Sequence, residues 1–366
     1  MNTNIPAQAV YLAIFFLLLF SLPDRSLALE VVDISGRQVW APDQVVRLVA
    51  LRGALSLAVY LELSDRVVGV ESQETADSRW VGSRGRTYRM AHPELGGLPV
   101  VASRQQLQPE KILAVAPDLI VLGSGNRHEA ETLERQTRIP VVLVGSGDLG
   151  GERELFYQSL RLFGRLTGTE DRARAVIDRI DRETAALAGR VAAIAPTARK
   201  KVYIGGLQFK VAHGILGTSR DYPPFQMAGA LNVVDALPVD RQLVRGRFSL
   251  KLETFVGLEP EVVFICGGGL DLVNEDLRKP VYRQAHPLQG QPLHLLLPHY
   301  YGADPATVLS EAWYVGKVLY PELFHDIDIA AKADQLYGFF VGRPLYQEMA
   351  DLFGGFTVFR PADRQE

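Results

Sequence analysis

The chain has 366 residues, of which 47% are hydrophobic and 22% charged, and its formal net charge is −3. This composition is typical of a globular protein long enough for two domains, and it excludes a strongly basic nucleic-acid binder or a like-charge tail. The single cysteine, Cys266, excludes a disulfide framework. Because Cys266 falls in a predicted buried strand, we expect it to be a small core residue.

An apolar run precedes the predicted folded part of the chain. Residues 9–20 (AVYLAIFFLLLF) have the length of a signal-peptide core and are too short to span a bilayer comfortably. Ser26 and Ala28 put small residues at the two positions that a signal peptidase reads. We therefore expect residues 1–28 to be a cleaved signal peptide and the mature protein to be periplasmic, with an uncleaved anchor or a buried strand as alternatives. No cysteine lies near the cleavage site, so we expect no lipid anchor.

The first part of the mature chain alternates predicted strands and helices, a pattern typical of a parallel sheet with helices on both faces. A polar loop at 71–92 interrupts this alternation. The predicted elements are a hairpin at 31–40, strands at 45–51, 67–70, 99–101 and 141–145, and helices at 54–63 and 127–136.

Two segments of the chain, Pro109–Gly123 and Lys251–Gly267, align without a gap. Each predicts a short helix, a proline turn, an acidic residue and then a buried strand that ends in glycine. The match pairs Glu110 with Glu253, and Asp118 with Glu261. We interpret the two segments as copies of one unit in two similar α/β lobes, although helix–proline–strand units also recur by chance.

A long helical pattern at 152–194 lies between the two copies. Phe156 and Phe163 lie on one apolar face, Gly168 interrupts the pattern, and Thr169 is placed to cap a second helix. We expect an N-terminal lobe at 29–150, a linking helical segment at 151–195 and a C-terminal lobe at 196–366. The later predicted elements are strands at 201–206 and 293–297 and helices at 306–320 and 330–342.

Motifs for catalysis are absent from the sequence. There is no phosphate-loop lysine motif, no serine nucleophile elbow, no HExxH and no pair of cysteines. Gly123 and Gly125, and the run at 267–269, follow strands without the full dinucleotide fingerprint, so we expect tight turns there. The loops after the strands of the two lobes should instead form a ligand cleft.

The chain resembles class III periplasmic binding proteins, which deliver ferric siderophores, haem, cobalamin or metal ions to ABC importers. The resemblance is carried by VALRGALSLAVYL, the two copies of the repeated unit and the linking helix, and more locally by YIGGLQFKVAHG and WYVGKVLYPELFHDID, which are similar to iron-complex binding proteins. It implies an α/β fold of two Rossmann-like lobes with parallel sheets joined by one long helix. It also implies a monomeric receptor without enzymatic activity or a cofactor of its own.

The resemblance implies a metal complex as ligand, with a ferric siderophore or other iron chelate as the main expectation. Haem, cobalamin or another metal ion are alternatives within the class, and a chelatase-like metal-handling enzyme is the alternative from another class. The loop after the first repeated strand is GSGNRH and lacks the tryptophan of the cobalamin-type pattern, which speaks against a corrin.

Several loop side chains are suited to a metal or an anionic chelate. Imidazole binds transition metals, a phenolate oxygen suits ferric iron, and arginine grips carboxylates. The candidate ligand-binding residues are Arg52, Glu71, Arg86, Tyr88, His92, Lys210, His213, Tyr222, His299, Tyr300 and Tyr301. His213 and His92 are the candidates for direct metal contact, although a loop histidine is often only a turn residue with a satisfied hydrogen bond.

The matched glutamates Glu110 and Glu253 have a separate implied role. In the resembled class, a glutamate at this position of each lobe pairs with arginines on the two subunits of the ABC permease. The simpler interpretation is that each glutamate favours the start of its own helix.

Overall fold

The computed structural model describes residues 28–78, 84–103, 105–209, 213–238, 246–289, 292–299 and 303–359. The strands in these ranges are β1 (Ala28–Val32), β2 (Gln38–Pro42), β3 (Leu48–Leu51), β4 (Val67–Glu71), β5 (Val100–Ala102), β6 (Leu119–Leu122), β7 (Val141–Leu143), β8 (Lys201–Gly205), β9 (Gly217–Ser219), β10 (Leu231–Asn232), β11 (Arg247–Ser249), β12 (Val262–Cys266), β13 (Leu293–Leu296) and β14 (Val358–Phe359).

The α-helices surround these strands and include a short one inside the predicted polar loop 71–92. They are α1 (Ala54–Tyr60), α2 (Thr87–Ala91), α3 (Pro109–Ala114), α4 (Arg127–Thr137), α5 (Arg153–Thr167), α6 (Glu170–Val191), α7 (Pro223–Met227), α8 (Leu252–Val256), α9 (Leu270–Arg278), α10 (Pro280–Arg283), α11 (Pro305–Leu319), α12 (Ile329–Val341) and α13 (Tyr346–Phe353). Within the part of the chain that the structure describes, no helix is both long and apolar enough to cross a bilayer.

Each lobe is built on one five-stranded sheet. The N-terminal sheet has the order β5-β4-β3-β6-β7 and all its strands are parallel. The C-terminal sheet has the order β10-β8-β12-β13-β14, and only the edge strand β14 runs antiparallel. The predicted α/β fold with two parallel-sheet lobes is therefore confirmed.

The repeated unit has the same place in both sheets. In the N-terminal lobe it supplies α3 and β6, and β6 pairs with β3; in the C-terminal lobe it supplies α8 and β12, and β12 pairs with β8. The matched positions Ile112 and Phe255 are both fully buried, so each short helix anchors itself on its sheet through the same position. Cys266 ends β12 and is buried, as predicted.

Two consecutive helices, and not one, connect the lobes. Helix α5 ends at Gly168, whose φ of 69° is a left-handed conformation that glycine adopts without strain. Phe156 and Phe163 are fully buried, as the apolar pattern predicts. The predicted cap at Thr169 is wrong in detail, because its side chain makes no cap hydrogen bond and its hydroxyl lies 2.9 Å from that of Thr167.

The C-terminal helices hold the two lobes together. Helix α11 packs against α6, α7 and α12, and α12 also packs against α1 and α2 of the N-terminal lobe. Arg172 of α6 reinforces this packing, since it donates hydrogen bonds to the carbonyls of Tyr60 and Phe339. One hydrophobic core therefore runs through residues of both lobes.

Candidate ligand site

Arg52 lies at the carboxyl end of β3, where the N-terminal sheet opens into its loops. Its backbone is in a left-handed conformation, with φ at 55°. The Arg52 N–H donates a hydrogen bond of 2.7 Å to Oε2 of Glu71, the last residue of β4. A Cβ on Gly123 would lie 2.6 Å from the Arg52 carbonyl oxygen, so only glycine lets the loop after β6 pass this turn. The Arg52 backbone is therefore fixed from two sides.

The Arg52 side chain is held by Glu129, in the first turn of α4. Nη2 of Arg52 donates to Oε1 of Glu129 at 2.6 Å, and Nη1 donates to Oε2. Glu129 is not among the residues predicted from the sequence. Asn126 followed three residues later by glutamate is the pattern of a capping box, and Asn126 does accept a hydrogen bond from the Glu129 N–H at 2.9 Å. The pattern does not reveal that the Glu129 carboxylate turns to Arg52.

Glu71 is a buried carboxyl beneath Arg52. The residue is only 3% exposed, and its Oε1 has no hydrogen-bond partner among the described residues. Burial raises the pKa of Glu71, and the negative charge of Glu74 raises it further, against the opposing Arg52 N–H. A raised pKa favours the neutral acid, which can donate a hydrogen bond.

Glu74 is a second buried carboxylate on this edge, and cationic and phenolic side chains contact it. Arg86 donates to its Oε1, the Tyr88 hydroxyl donates to the same oxygen at 3.0 Å, and Nη1 of Arg89 lies 3.4 Å from Oε2. Burial and the charge of Glu74 hold the pKa of Tyr88 far above its ordinary value. The Tyr88 hydroxyl is therefore a protonated donor to Glu74 in this structure.

The facing edge of the C-terminal lobe holds a buried carboxylate of its own, Glu311 of α11. The Tyr222 hydroxyl donates to Glu311 Oε2 at 2.7 Å, and Nδ1 of His299 lies 3.3 Å from Oε1. Arg247 joins this cluster, since it donates to the carbonyls of His299 at 3.2 Å and Gln208 at 2.8 Å. Tyr222 is only 1% exposed and its hydroxyl is already used, so it positions His299 through Glu311.

His213 lies in the loop after β8 and is only partly buried. Its Nε2 lies 3.2 Å from the carbonyl oxygen of Phe209, and the two rings stack with centroids 3.9 Å apart. Burial lowers the pKa of His213, which favours the neutral imidazole. The contact of Nε2 leaves Nδ1 as the nitrogen able to meet a ligand.

Ala303 and Asp304, directly before α11, contact the N-terminal lobe. The Thr87 hydroxyl of the N-terminal lobe donates to Oδ2 of Asp304 at 2.9 Å. The Tyr60 hydroxyl donates to the carbonyl of Ala303 at 3.1 Å, and the Ala303 N–H donates to the carbonyl of Ser146 at 3.4 Å. These hydrogen bonds therefore join the lobe that carries the Glu74 cluster to the lobe that carries the Glu311 cluster.

His92 is engaged elsewhere. Its Nδ1 lies 2.9 Å from Oε1 of Glu94, and its Nε2 lies 3.2 Å from the carbonyl oxygen of Val341 at the end of α12. Both ring nitrogens thus face acceptors, which leaves neither for a metal in this conformation. Lys210, Tyr300 and Tyr301 lie outside the described residues. Within the described ranges, no group of three or more His, Cys, Asp or Glu side chains is arranged to hold a metal ion.

Comparison with known proteins gives one consistent family. A family model described as "Periplasmic binding protein" matches residues 61–279. A curated relative, the molybdate-binding protein MolA of Haemophilus influenzae, is 25% identical over 347 residues, which cover 87% of this chain and 93% of MolA.

Solved structures agree on the fold. MolA bound to molybdate matches with a TM-score of 0.68 at 22% identity, covering 86% of this chain and 98% of MolA. Helicobacter pylori CeuE with Ni(II) bound matches with a TM-score of 0.60 at 17% identity, covering 86% of this chain and 96% of CeuE. At these identities the structural likeness shows the fold alone.

Proposed function

Because the chain belongs to the periplasmic binding protein family, we propose that it captures an anionic metal species that brings its own oxygen or organic ligands. Proteins of this family are the solute-binding components of ABC transporters, so the protein is a receptor and not an enzyme. Its partner is the cognate permease. The ligand is held where the carboxyl ends of the strands of the two lobes face each other.

The Arg52 guanidinium is the observation that carries this proposal. The Arg52 backbone is fixed at the strand edge, and the two terminal nitrogens of the guanidinium donate hydrogen bonds to the carboxylate of Glu129. The same geometry suits a ligand anion with two oxygens. Arg86 and Arg247 add positive charge at the same edge and at the facing one. Since the described residues contain no cluster of side chains arranged to hold a bare ion, the metal should arrive with its own ligands.

A metal oxyanion is the first candidate, in line with the molybdate bound by the relative MolA. An anionic ferric chelate is the second candidate, and the stacked rings of Phe209 and His213 favour it because they offer an aromatic surface to organic groups. Burial keeps the pKa values of Tyr88 and Tyr222 far above their ordinary value, and both hydroxyls already donate to buried carboxylates, so we expect a ferric ligand to keep its own donors.

Isothermal titration calorimetry of the purified protein tests the proposal. Molybdate, tungstate and ferric citrate serve as anionic probes, and Ni²⁺ serves as a bare cation. We expect binding of at least one anionic probe, and its loss in Arg52→Ala but not in Arg165→Ala, a control on the exposed side of α5. Tight binding of Ni²⁺ with no binding of any anion would overturn the proposal.

The docking surface that we propose is repeated on the two lobes. Glu110 and Glu253 are both exposed, each in the first turn of its helix. Three residues further on, and so on the same helix face, Leu113 is 45% and Val256 38% exposed. Each lobe thus presents a carboxylate beside an exposed apolar side chain, a combination that suits a basic and partly apolar surface on each permease subunit.

We also propose that the mature protein moves freely in the periplasm after cleavage of residues 1–28. The apolar run at 9–20 lies outside the described residues, and the proposed cleavage removes Ala28, the first residue of β1, so that the mature strand would begin at Leu29. Mass spectrometry of the protein from a periplasmic extract should find an N-terminus near Leu29, whereas an intact N-terminus in the membrane fraction would show an anchor.

A further inference from the structure

The carboxylate of Glu129 saturates one side of the Arg52 guanidinium. Both of its oxygens accept hydrogen bonds from the two terminal nitrogens of Arg52, a bidentate arrangement. The side chains of Arg52 and Glu129 are 17% and 31% exposed, so this pair lies at the surface of the strand edge and not deep in the core. An incoming anion therefore meets an arginine that already has an anionic partner.

Both halves of this ion pair have anchored backbones, and each side chain is held by the other. The Arg52 backbone is fixed by its hydrogen bond to Glu71 and by the close passage of Gly123. The Glu129 backbone is fixed at the start of α4 by Asn126, and its carboxylate contacts only Arg52 among the described residues. A Cβ added to Gly125 would lie 3.2 Å from Glu129 Oε2, so glycine leaves room beside this carboxylate. The Glu129 carboxylate can therefore leave the guanidinium without moving either backbone.

The charges around Arg52 support an exchange of partners. Glu71 contacts only the backbone N–H of Arg52, whereas both oxygens of Glu129 accept hydrogen bonds from the guanidinium. Glu129 is therefore the carboxylate that pairs with the Arg52 side chain. If Glu129 turns away into solvent, an anionic group of the ligand can restore the same charge balance.

We propose that Glu129 occupies, in the ligand-free protein, the place on the Arg52 guanidinium that a two-oxygen anionic group of the ligand takes on binding. This inference rests on the proposed function, and it narrows the class of ligands that the protein is expected to bind. The ligand must offer two oxygens on one centre, as a free metal oxyanion or a carboxylate-bearing chelate does. Weakly basic anions, and anions that offer only one oxygen, fail to displace Glu129 from Arg52. Competition from Glu129 therefore selects for anions that bind the guanidinium through two oxygens.

Substitution of the competing carboxylate tests this exchange. Calorimetry at neutral pH with molybdate, for a free oxyanion, and ferric citrate, for a carboxylate chelate, compares wild type with Glu129→Gln. We expect the probe that binds wild type to bind Glu129→Gln at least about fivefold more tightly, a coupling within the usual range for residues in contact. Glu131→Gln is the matched control, because Glu131 lies on the same helix and pairs with Arg127 in solvent.

A double-mutant cycle tests whether the effect of Glu129 on ligand affinity depends on the Arg52 guanidinium. In an Arg52→Lys background, which lacks the two-nitrogen fork, Glu129→Gln should change affinity by less than about twofold. Glu129→Ala serves as a second variant, with circular dichroism and thermal melting to verify the fold. Unchanged or weaker binding in Glu129→Gln and Glu129→Ala would overturn this inference alone. Failure of wild type and every variant to bind either anion would overturn the proposed function as well.

Discussion

Asp118 and Glu261 make the same hydrogen bond at equivalent points of the two lobes. Oδ2 of Asp118 accepts the N–H of Arg47 at 2.8 Å, directly before β3. Oε2 of Glu261 accepts the N–H of Lys201 at 2.9 Å, at the start of β8. Each carboxylate thus ties the strand of the repeated unit to the first strand of its sheet. This shared hydrogen bond supports duplication more strongly than the sequence match alone, because the two matched carboxylates also make the same structural contact.

The first prediction concerns the acid stability of this contact. The ion pair with Lys200 lowers the pKa of Glu261 below its ordinary value of 4.5, and the Lys201 N–H lowers it further. Because the folded-state pKa is the lower one, Glu261 stabilises the protein above the unfolded pKa, and this stabilisation disappears as pH falls through the folded pKa.

Glu261→Gln should therefore reduce the free energy of unfolding only slightly at neutral pH, by less than about 1 kcal/mol for such an exposed pair. Urea unfolding should show the difference from wild type vanishing once the pH lies below the lowered folded-state pKa of Glu261, since both proteins are then uncharged at this position. Glu259→Gln, in the turn before β12, is the control. A difference that grows in acid would contradict the assignment.

The second prediction concerns the buried carboxylate of the C-terminal lobe. Glu311→Ala leaves the Tyr222 hydroxyl and the His299 ring without their acceptor. The free energy of unfolding should fall by about 3 kcal/mol, the sum of two buried groups left without partners. Glu311→Gln keeps an acceptor and should cost clearly less. Equal losses for both substitutions, measured by chemical unfolding, would show that packing and not hydrogen bonding decides.

The third prediction separates ligand binding from stability at His213. His213→Ala should weaken ligand binding by more than tenfold, about 1.4 kcal/mol. The thermal stability of the ligand-free protein should not change, because His213 is only partly buried in a loop and contacts Phe209 by stacking. His325→Ala, at an exposed histidine remote from both strand edges, is the control. Unchanged affinity in His213→Ala would remove this residue from the site.

The fourth prediction concerns docking on the permease. Glu110→Arg combined with Glu253→Arg should abolish uptake and the stimulation of ATP hydrolysis by the permease, while ligand affinity remains normal. Leu113→Ser with Val256→Ser should reduce both without changing the charge of the surface.

A pair of charge reversals elsewhere controls for the change in net charge. Asp65→Arg with Glu275→Arg changes one exposed acidic residue in each lobe, away from α3 and α8. Transport should stay at the wild-type rate in this control. If the Glu110 and Glu253 double variant also transports at that rate, the two glutamates are only residues at helix starts.

The fifth prediction concerns closure of the lobes. Contacts that cross between the lobes include Thr87 with Asp304 and Tyr60 with Ala303. Together with the helices α5 and α6, they should limit ligand-induced motion to a small hinge angle. Small-angle X-ray scattering should show nearly the same radius of gyration with and without ligand. A marked compaction would contradict this expectation.

The sequence was informative where periodicity and duplication set the structure. Local patterns in the sequence predict the strands of the repeated unit, the helix break at Gly168 and the burial of Cys266. The packing of the folded chain agrees with each of these predictions. The short helix Thr87–Ala91 was missed because its stability comes from tertiary contacts of Thr87 and Tyr88, and not from helical periodicity.

The candidate site was predictable only as a set of loops. The positions of Arg52 and Glu71 after parallel strands placed them on one edge, as the sheet requires. The partners of Arg52 and His299 were not predictable, since Glu129 and Glu311 lie on helices and have the spacing of ordinary helical residues. His92 is predicted to lie beside the ligand, and its contacts with Glu94 and the carbonyl of Val341 could not be predicted because Val341 belongs to the distant helix α12.

Native mass spectrometry of the protein purified from its own periplasm, combined with elemental analysis, tests directly whether the protein captures an anionic metal species. We expect one bound anionic species that contains a metal together with its own oxygen or chelating ligands, and we expect it to be absent from the Arg52→Ala variant. A bare metal cation retained equally by wild type and Arg52→Ala would show that the proposed ligand class is wrong.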